Sequence, residues 1–172
     1  MAQVIKADRD YTLLTILLQV ADIFVKVRER ELLPQNLSAT SAAILFLVDA
    51  MGKDVTPAKI SRMLLREPHS ISGILMRMEK GGLLKRTKNM ERKNLIRVTL
   101  TAKGEQALKQ SLKKEGVKHV LSKLNEEQRR QLKNILQITK EAGLKELNMG
   151  PKSLPWPSSN NRLKQSLRPY LI

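Results

Sequence analysis

The chain has 172 residues and no cysteine, and its 32 Lys and Arg against 16 Asp and Glu give a formal net charge of +16. This length suits one domain, or a small domain with extensions, that can bury a real core. The absence of cysteine excludes disulfides, Cys-ligated zinc and thiol catalysis, and the positive charge favours a polyanionic partner.

The charge is concentrated in the middle of the chain. Residues 51–110 carry fourteen Lys and Arg against five Asp and Glu, whereas residues 1–50 carry five against six. The apolar stretch from Ala42 to Val48 is far shorter than the roughly 20 residues that span a bilayer. The segment from Met1 to Asp10 is too acidic for a signal peptide. We therefore expect a cytoplasmic protein that has no membrane partner.

The first predicted element is an amphipathic helix from Asp10 to Leu33, which Pro34 and Asn36 end. Its apolar residues recur at the i, i+3, i+4, i+7 spacing of one helix face. They are Leu13, Leu14, Leu17, Leu18, Ala21, Phe24 and Val25.

Three short helices are predicted next. The first begins after the N-cap Ser38 and runs to about Met51, where Gly52 closes it. Thr56-Pro57 opens the second with a capping hydroxyl and a proline at the first helical position, and its apolar residues are Ile60, Met63, Leu64 and Leu65. The third begins at Pro68 after a tight turn and ends at Gly81-Gly82, and its apolar face consists of Ile71, Ile74, Leu75 and Met78. This succession predicts a helix-turn-helix.

The period then changes from helix to strand. Ile96, Val98 and Leu100 alternate with Leu95, Arg97 and Thr99, as a half-buried strand requires. The partner strand is predicted at Leu83 to Thr87, which leaves Lys88 to Asn94 as the tip of a hairpin.

Two helices are predicted after the hairpin. Thr101 caps the fifth helix, and Asn125 with Glu126 marks a break into a sixth that ends near Leu147. From Gly150 onward the composition is rich in Pro, Ser and Asn, which predicts an extended or disordered basic tail containing the only Trp, Trp156.

The polar side of the helix that begins at Pro68 is the predicted DNA-binding face. Its first turns would meet base edges in the major groove, and hydroxyls and cations would hold phosphates. Base or phosphate contacts are assigned to His69, Ser70 and Ser72, and a phosphate contact to Arg77. Gly73 on the same face costs roughly 0.5 to 1 kcal/mol relative to Ala. It indicates either close approach of DNA or a tolerated glycine.

The hairpin is strongly cationic. Six Lys and Arg occur within thirteen residues with the single acid Glu91, and they are Lys85, Arg86, Lys88, Arg92, Lys93 and Arg97. A ribbon of this kind can follow the DNA backbone or insert a cation into the minor groove. A charge run by itself is usually only a solvated face, and its position after a helix-turn-helix favours DNA binding.

These residues resemble the MarR family of winged helix-turn-helix transcription regulators, over roughly Asp10 to Leu147. The stretch PHSISGILMRMEKGGLLKR from Pro68 to Arg86 resembles the family's recognition helix and the entry to its wing. VTLTAKG from Val98 to Gly104 resembles its strand-to-helix exit. Two features depart from the family pattern. Gly73 stands where the family often has Arg, and ERKN from Glu91 to Asn94 replaces the usual D-x-R of the wing tip.

The resemblance implies a homodimer whose first and last helices interlock. It also implies binding to a pseudo-palindromic operator, and release when a small molecule occupies a cleft between the dimerisation and DNA-binding parts. The wing cation carries over to Arg92, with Lys93 as second choice, and its acid partner to Glu91. Repression is the expected mode of regulation.

The apolar residues of the outer helices also favour a dimer, because a small central domain could not cover all of them. They are Leu13, Leu17, Leu121, Leu124, Leu132, Ile135 and Leu136. An intramolecular bundle is the alternative. Effector-lining residues are a further possibility, although apolar residues at helical spacing are more often plain core. The candidates are Phe46, Met63, Met76 and Met78.

The predicted fold is mainly α with a small β-hairpin wing. It comprises an N-terminal dimerisation helix (1–37), a winged helix-turn-helix domain (38–104), C-terminal dimerisation helices (105–149) and a proline-rich basic tail (150–172). The sequence contains no catalytic constellation and no cofactor motif, so an enzyme is not expected. His69 and His119 lack the Asp, Glu or His neighbours that would suggest a metal site, so no metal site is expected either. The alternative function is a winged-helix module for RNA binding or protein docking.

Overall fold

The computed structural model describes residues 8–52, 55–88 and 96–149. It contains helices α1 (Arg9–Leu32), α2 (Ala39–Met51), α3 (Pro57–Met63) and α4 (Pro68–Lys80), then strands β1 (Leu84–Lys88) and β2 (Ile96–Leu100), then helices α5 (Ala102–Ser111), α6 (Glu115–Leu121) and α7 (Glu126–Glu146). A short 3-10 turn, Leu33–Gln35, follows α1 and contains Pro34. The predicted mainly helical fold with one β-hairpin is confirmed.

Helix starts follow the predicted capping residues. The side chains of Ser38, Thr56 and Thr101 each accept a hydrogen bond from the backbone N–H three residues on, at the starts of α2, α3 and α5. Asn125 does the same for α7, and Gln128 bonds back to it in a capping box. These bonds satisfy N–H groups that a helix leaves unpaired at its first turn.

The two strands form an antiparallel hairpin in which Leu84 pairs with Leu100 and Lys88 with Ile96. Val98 is fully buried and Leu100 is half-buried, but Ile96 is exposed, so the prediction that all three face the core is wrong for Ile96. Ile96 lies opposite Lys88 at the end of the described hairpin that is farther from the helices. The partner strand is shifted by one residue from the predicted Leu83 to Thr87.

The core lies between the end of α1, helices α2 to α5 and the base of the hairpin. Its fully buried members are Leu32, Ile44, Leu45, Val55, Ile60, Ile71, Leu75, Leu84 and Val98. The backbone N–H of Val98 donates to the carbonyl of Val55 at 3.1 Å, which attaches β2 to the segment before α3. We call this unit the body.

Two predicted helix boundaries are wrong. Leu65 was expected in the helix that Thr56-Pro57 opens. That helix, α3, ends at Met63, and Leu65 adopts a left-handed φ of 50° with an exposed side chain. The predicted fifth helix divides into α5 and α6, because Lys114 adopts a left-handed φ of 48° between them. No glycine or proline marks either position, so the sequence carries no turn signal there.

Within the described ranges, no helix combines the length and apolar character needed to cross a membrane.

Candidate nucleic-acid interface

The turn between α3 and α4 is held by side-chain and backbone hydrogen bonds. The Ser61 hydroxyl donates to the carbonyl of Arg66 at 2.6 Å, and the N–H of Arg66 donates to the carbonyl of Ser61 at 3.0 Å. Ser61 is buried, so both of its bonds are protected from water. The left-handed Leu65 reverses the chain direction in between. This pair fixes how α4 leaves α3.

Helix α4 has the two faces that the sequence predicted. Ile71, Leu75 and Met78 are buried, and Ile74 is half-buried against the core. On the opposite side, the predicted contact residues His69, Ser70, Ser72 and Arg77 are all exposed. The helix begins at Pro68 with Glu67 as N-cap, and no side chain among the described residues bonds to its first N–H groups. Its start therefore offers free backbone donors beside the exposed hydroxyls.

Gly73 is half-buried on the exposed side of α4. A Cβ built there would have only Arg77 Nη1 nearby, at 3.7 Å, which is an ordinary contact. Packing within the described chain therefore does not require glycine at this position, and close approach of a ligand stays a prediction.

The described part of the wing presents Lys85 and Lys88 on exposed positions of β1. Lys88, the first residue of the predicted tip, is instead the last residue of β1. The predicted wing contacts Arg92 and Lys93, the acid Glu91, Trp156 and the tail 150–172 lie outside the described residues.

Helix α4 is tied to strand β1 by an ion pair that was not predicted from the sequence. Arg86 on β1 donates from its backbone N–H to Glu79 Oε1 at 2.8 Å, and from Nε and Nη2 to Glu79 Oε2 at 2.7 Å each. The backbone and side-chain bonds from Arg86 lower the pKa of Glu79. Arg86 is therefore a structural tether and not a free wing cation. The pair could have been predicted from the sequence, because the acid Glu79 and the base Arg86 lie on either side of the turn at Gly81-Gly82.

The motif from Val98 to Gly104 clamps the end of α4. Thr101 Oγ1 donates to the carbonyl of Gly82 at 2.6 Å, and Lys103 Nζ donates to the carbonyl of Gly81 at 2.8 Å. A Cβ on Gly104 would lie 1.9 Å from the carbonyl oxygen of Leu83, so only glycine fits there. The motif thus fixes the end of α4 to the start of α5.

Three further cations lie on α3 and in the turn that leads to α4. Lys59 and Arg62 on α3, and Arg66 in the turn, are exposed. Their side-chain nitrogens have no ion pair and no hydrogen bond within the part of the chain that the structure describes. These three residues were not predicted to bind DNA, although their spacing of three and four residues indicates one side of a helix and the residue after it.

The candidate effector-lining residues do not share one environment. Met78 is buried, Phe46 is half-buried against the core, Met63 is half-buried, and Met76 is 58% exposed on the polar side of α4. The core interpretation is therefore wrong for Met76. His69 and His119 are exposed and belong to no group of three potential metal ligands among the described residues.

No protein-family model and no curated protein sequence matches the chain. Among solved structures, it is similar to the organohalide-sensing transcriptional regulator RdhR-CbdbA1625 bound to 2,4-dichlorophenol, with 28% identity over 90% of this chain and 92% of that chain and a TM-score of 0.80. A mutant of MarR from E. coli complexed with operator DNA has 17% identity over 77% and 99% of the two chains and a TM-score of 0.71. A MarR family protein of Mycobacterium tuberculosis complexed with salicylic acid has 20% identity over 78% and 98% and a TM-score of 0.59.

A helix-turn-helix with an exposed polar second helix and an adjoining β-hairpin defines a winged helix-turn-helix protein. The solved structures share this fold along most of the chain, and the first of them is also a transcriptional regulator. The chain has the winged helix-turn-helix fold of MarR-family transcription regulators, as the resemblance of its sequence predicted.

Proposed function

We propose that the chain is a sequence-specific duplex DNA-binding transcription regulator that acts as a homodimer on a pseudo-palindromic operator in the cytoplasm. The observation that carries the proposal is the surface around α4. Its polar face is exposed, and α4 packs against both α3, which carries exposed cations, and the cationic strand β1. An α-helix fits the major groove, and flanking cations suit the phosphates on each side of it.

Some of the proposed contacts read the DNA bases, and the others bind phosphates and position the protein on the duplex. His69, Ser70 and Ser72 are the proposed base or phosphate contacts, with Gly73 allowing close approach. Phosphate contacts are proposed for Arg77, for Lys88 with Arg92 and Lys93 of the wing, and for Lys59, Arg62 and Arg66 along α3.

Homodimerisation is supported by the outer helices, by which we mean α1 and α7. Large apolar side chains are exposed along the first two thirds of α1 and along α7. They include Leu13, Leu14, Leu17, Leu18, Ile23, Leu132, Ile135, Leu136 and Ile138. Apolar surface of this extent marks an interaction site in an isolated protein. We propose that residues 1–37 and 105–149 form the dimerisation part, and that residues 38–104 form the DNA-binding domain.

Repression relieved by a small molecule is the proposed mode of regulation. It is supported by two similar structures, one an organohalide sensor bound to 2,4-dichlorophenol and one bound to salicylic acid. These two compounds are the first probes to use, and loss of DNA affinity on their addition is the expected result.

The test is selection of bound fragments from the source genome, followed by binding measurements on the selected duplex. Ser72→Ala and His69→Ala should change the preference among sites. Arg62→Ala and Arg92→Ala should weaken all sites and reduce the slope of log K against log salt by about 1.8 each, because the dimer loses two phosphate contacts worth about 0.9 apiece. Lys109→Ala, on the exposed side of α5, removes one charge outside the proposed surface and should leave the slope unchanged.

Two results would contradict the proposal. Equal affinity for selected and random duplexes, or preference for RNA, would favour the alternative of a module without specific DNA recognition. A monomer at the concentrations where DNA binding is complete would exclude a dimeric operator complex.

A further inference from the structure

Two side chains near the end of α1 connect this helix to both sides of the link between α5 and α6. Arg28 donates through Nη1 to Glu31 Oε2 at 3.0 Å, and through Nη2 to the carbonyl of Ser111, the last residue of α5. Glu31 Oε1 accepts from the N–H of Gly116 in the first turn of α6. The two side chains are 17% and 20% exposed, so the connection is largely shielded from water.

The two helix ends at this link have the charges that Arg28 and Glu31 complement. The last carbonyls of a helix carry partial negative charge and its first N–H groups partial positive charge. Helix α6 has the left-handed Lys114 as its N-cap, and no side chain of its own caps it. Glu31 on α1 therefore accepts a hydrogen bond from the first turn of α6, and Arg28 on α1 donates one to the last residue of α5.

Helices α1 and α6 also approach each other closely here. A Cβ on Gly116 would lie 3.0 Å from Val27 Cγ1 and 3.2 Å from Glu31 Oε1, which is tighter than side chains normally pack. The absence of a side chain on Gly116 lets its N–H reach the carboxylate.

Little else attaches α6 and α7, which we call the arm, to the body. Helix α1 packs against α6, whereas every residue of α7 except Leu144 is exposed. In contrast, the end of α1 is rooted in the core through Leu32, which is fully buried in the same cluster as Leu108 and Leu112. The Arg28–Glu31 pair thus lies where the arm leaves the body.

Because the arm is long, a small change in the angle between body and arm produces a large displacement of its far end. The 21 residues of α7 extend about 31 Å at about 1.5 Å per residue. A change of about 10° at the joint would move the far end by about 5 Å, which exceeds the roughly 3.4 Å between successive base pairs.

We propose that the Arg28–Glu31 pair sets the angle between body and arm, and that Arg28 and Glu31 are therefore positioning residues that determine which half-site spacing the dimer accepts. This inference rests on the proposed function of a dimer on a two-half-site operator. It assigns spacing selectivity to the joint between α1, α5 and α6.

The experiment uses the full chain and the duplex selected by it, with one base pair inserted or deleted between the half-sites. We expect the wild-type protein to lose about tenfold or more in affinity for each altered duplex. Arg28→Ala and Glu31→Ala should reduce this discrimination to less than about threefold, while affinity for a single half-site changes less than about twofold. Glu127→Gln breaks the exposed Arg130–Glu127 pair on α7 and is the matched control.

A distance measurement gives a readout that reduced stability alone would not produce. Because the chain has no cysteine, Lys80→Cys at the exposed end of α4 allows one spin label per protomer. The distribution of label-to-label distances should broaden in the Arg28 and Glu31 variants and stay narrow in the control. If the alanine variants do not fold, Glu31→Gln decides the question, since it keeps the side-chain size and removes the charge.

The outcomes separate the two levels of the proposal. If the wild-type protein binds duplexes without any spacing preference, the proposed two-half-site operator fails. If the wild-type protein discriminates and the Arg28 and Glu31 variants discriminate equally well, with unchanged distance distributions, the joint has no such role.

Discussion

The body and the outer helices of this protein differ in how they bury their apolar residues. In the body, Ile44, Ile60, Ile71 and Leu75 are fully buried within one chain. In α1, apolar residues of the same kind, such as Leu13 and Ile16, are more than half exposed. The body therefore buries a core of its own, whereas the outer helices leave large apolar side chains exposed in the described chain.

The largest expected effect is in the body. Leu75→Ala removes a fully buried side chain beneath the recognition helix, and a cost of about 2–5 kcal/mol in the free energy of unfolding is expected. Urea denaturation at several protein concentrations measures it. The loss should be the same at every concentration, because this residue packs within one chain. A loss that vanishes at high concentration would show that Leu75 belongs to the interface between copies.

A smaller effect is expected at the clamp behind the recognition helix. Gly104→Ala places a Cβ 1.9 Å from the carbonyl oxygen of Leu83, so the two elements must separate at a cost of about 1–3 kcal/mol. Gly143→Ala in α7 is the matched control, since nothing lies within 4 Å of its Cβ position. It should stabilise the protein by about 0.5–1 kcal/mol through helix propensity. Equal shifts in both variants would argue against the close contact.

The outer helices should show a dependence on concentration that the body lacks. Leu17 is 42% exposed in one chain, and its truncation to Ala should weaken each side of a symmetric dimer by about 1 kcal/mol. The dimer dissociation constant should then rise by about thirtyfold. Sedimentation equilibrium measures this change. An unaltered constant for both Leu17→Ala and Leu132→Ala would leave the exposed faces without the proposed role.

The smallest effect is a pH dependence at the Glu79–Arg86 tether. Its bonds lower the pKa of Glu79 in the folded protein, so the stabilisation is complete above the ordinary glutamate value of about 4.3 and is lost as pH falls through the lowered pKa. The difference in melting temperature between the wild-type protein and Glu79→Gln should therefore shrink in strong acid. A difference that is constant from neutral to strongly acidic pH would contradict a role for the charge.

Local signals in the sequence predicted most helix starts and the faces of the recognition helix. Ser38, Thr56 and Thr101 act as caps because a hydroxyl satisfies an N–H only three residues away. The buried and exposed sides of α4 follow from helical periodicity alone. In contrast, the turns at Leu65 and Lys114 were missed, since neither residue has an intrinsic preference for the left-handed backbone it adopts.

The sequence by itself determined the order of helices and hairpin, the polar side of α4 and the excess of apolar residues in the outer helices, because each depends on neighbours a few positions apart. Only the tertiary structure decided that Arg86 is bound to Glu79 and that Arg28 and Glu31 meet the link between α5 and α6. Partners that lie more than eighty residues away in the chain, such as Ser111 for Arg28, leave no periodic pattern to read. The packing of whole helices brings these distant groups together, and burial strengthens the hydrogen bonds between them.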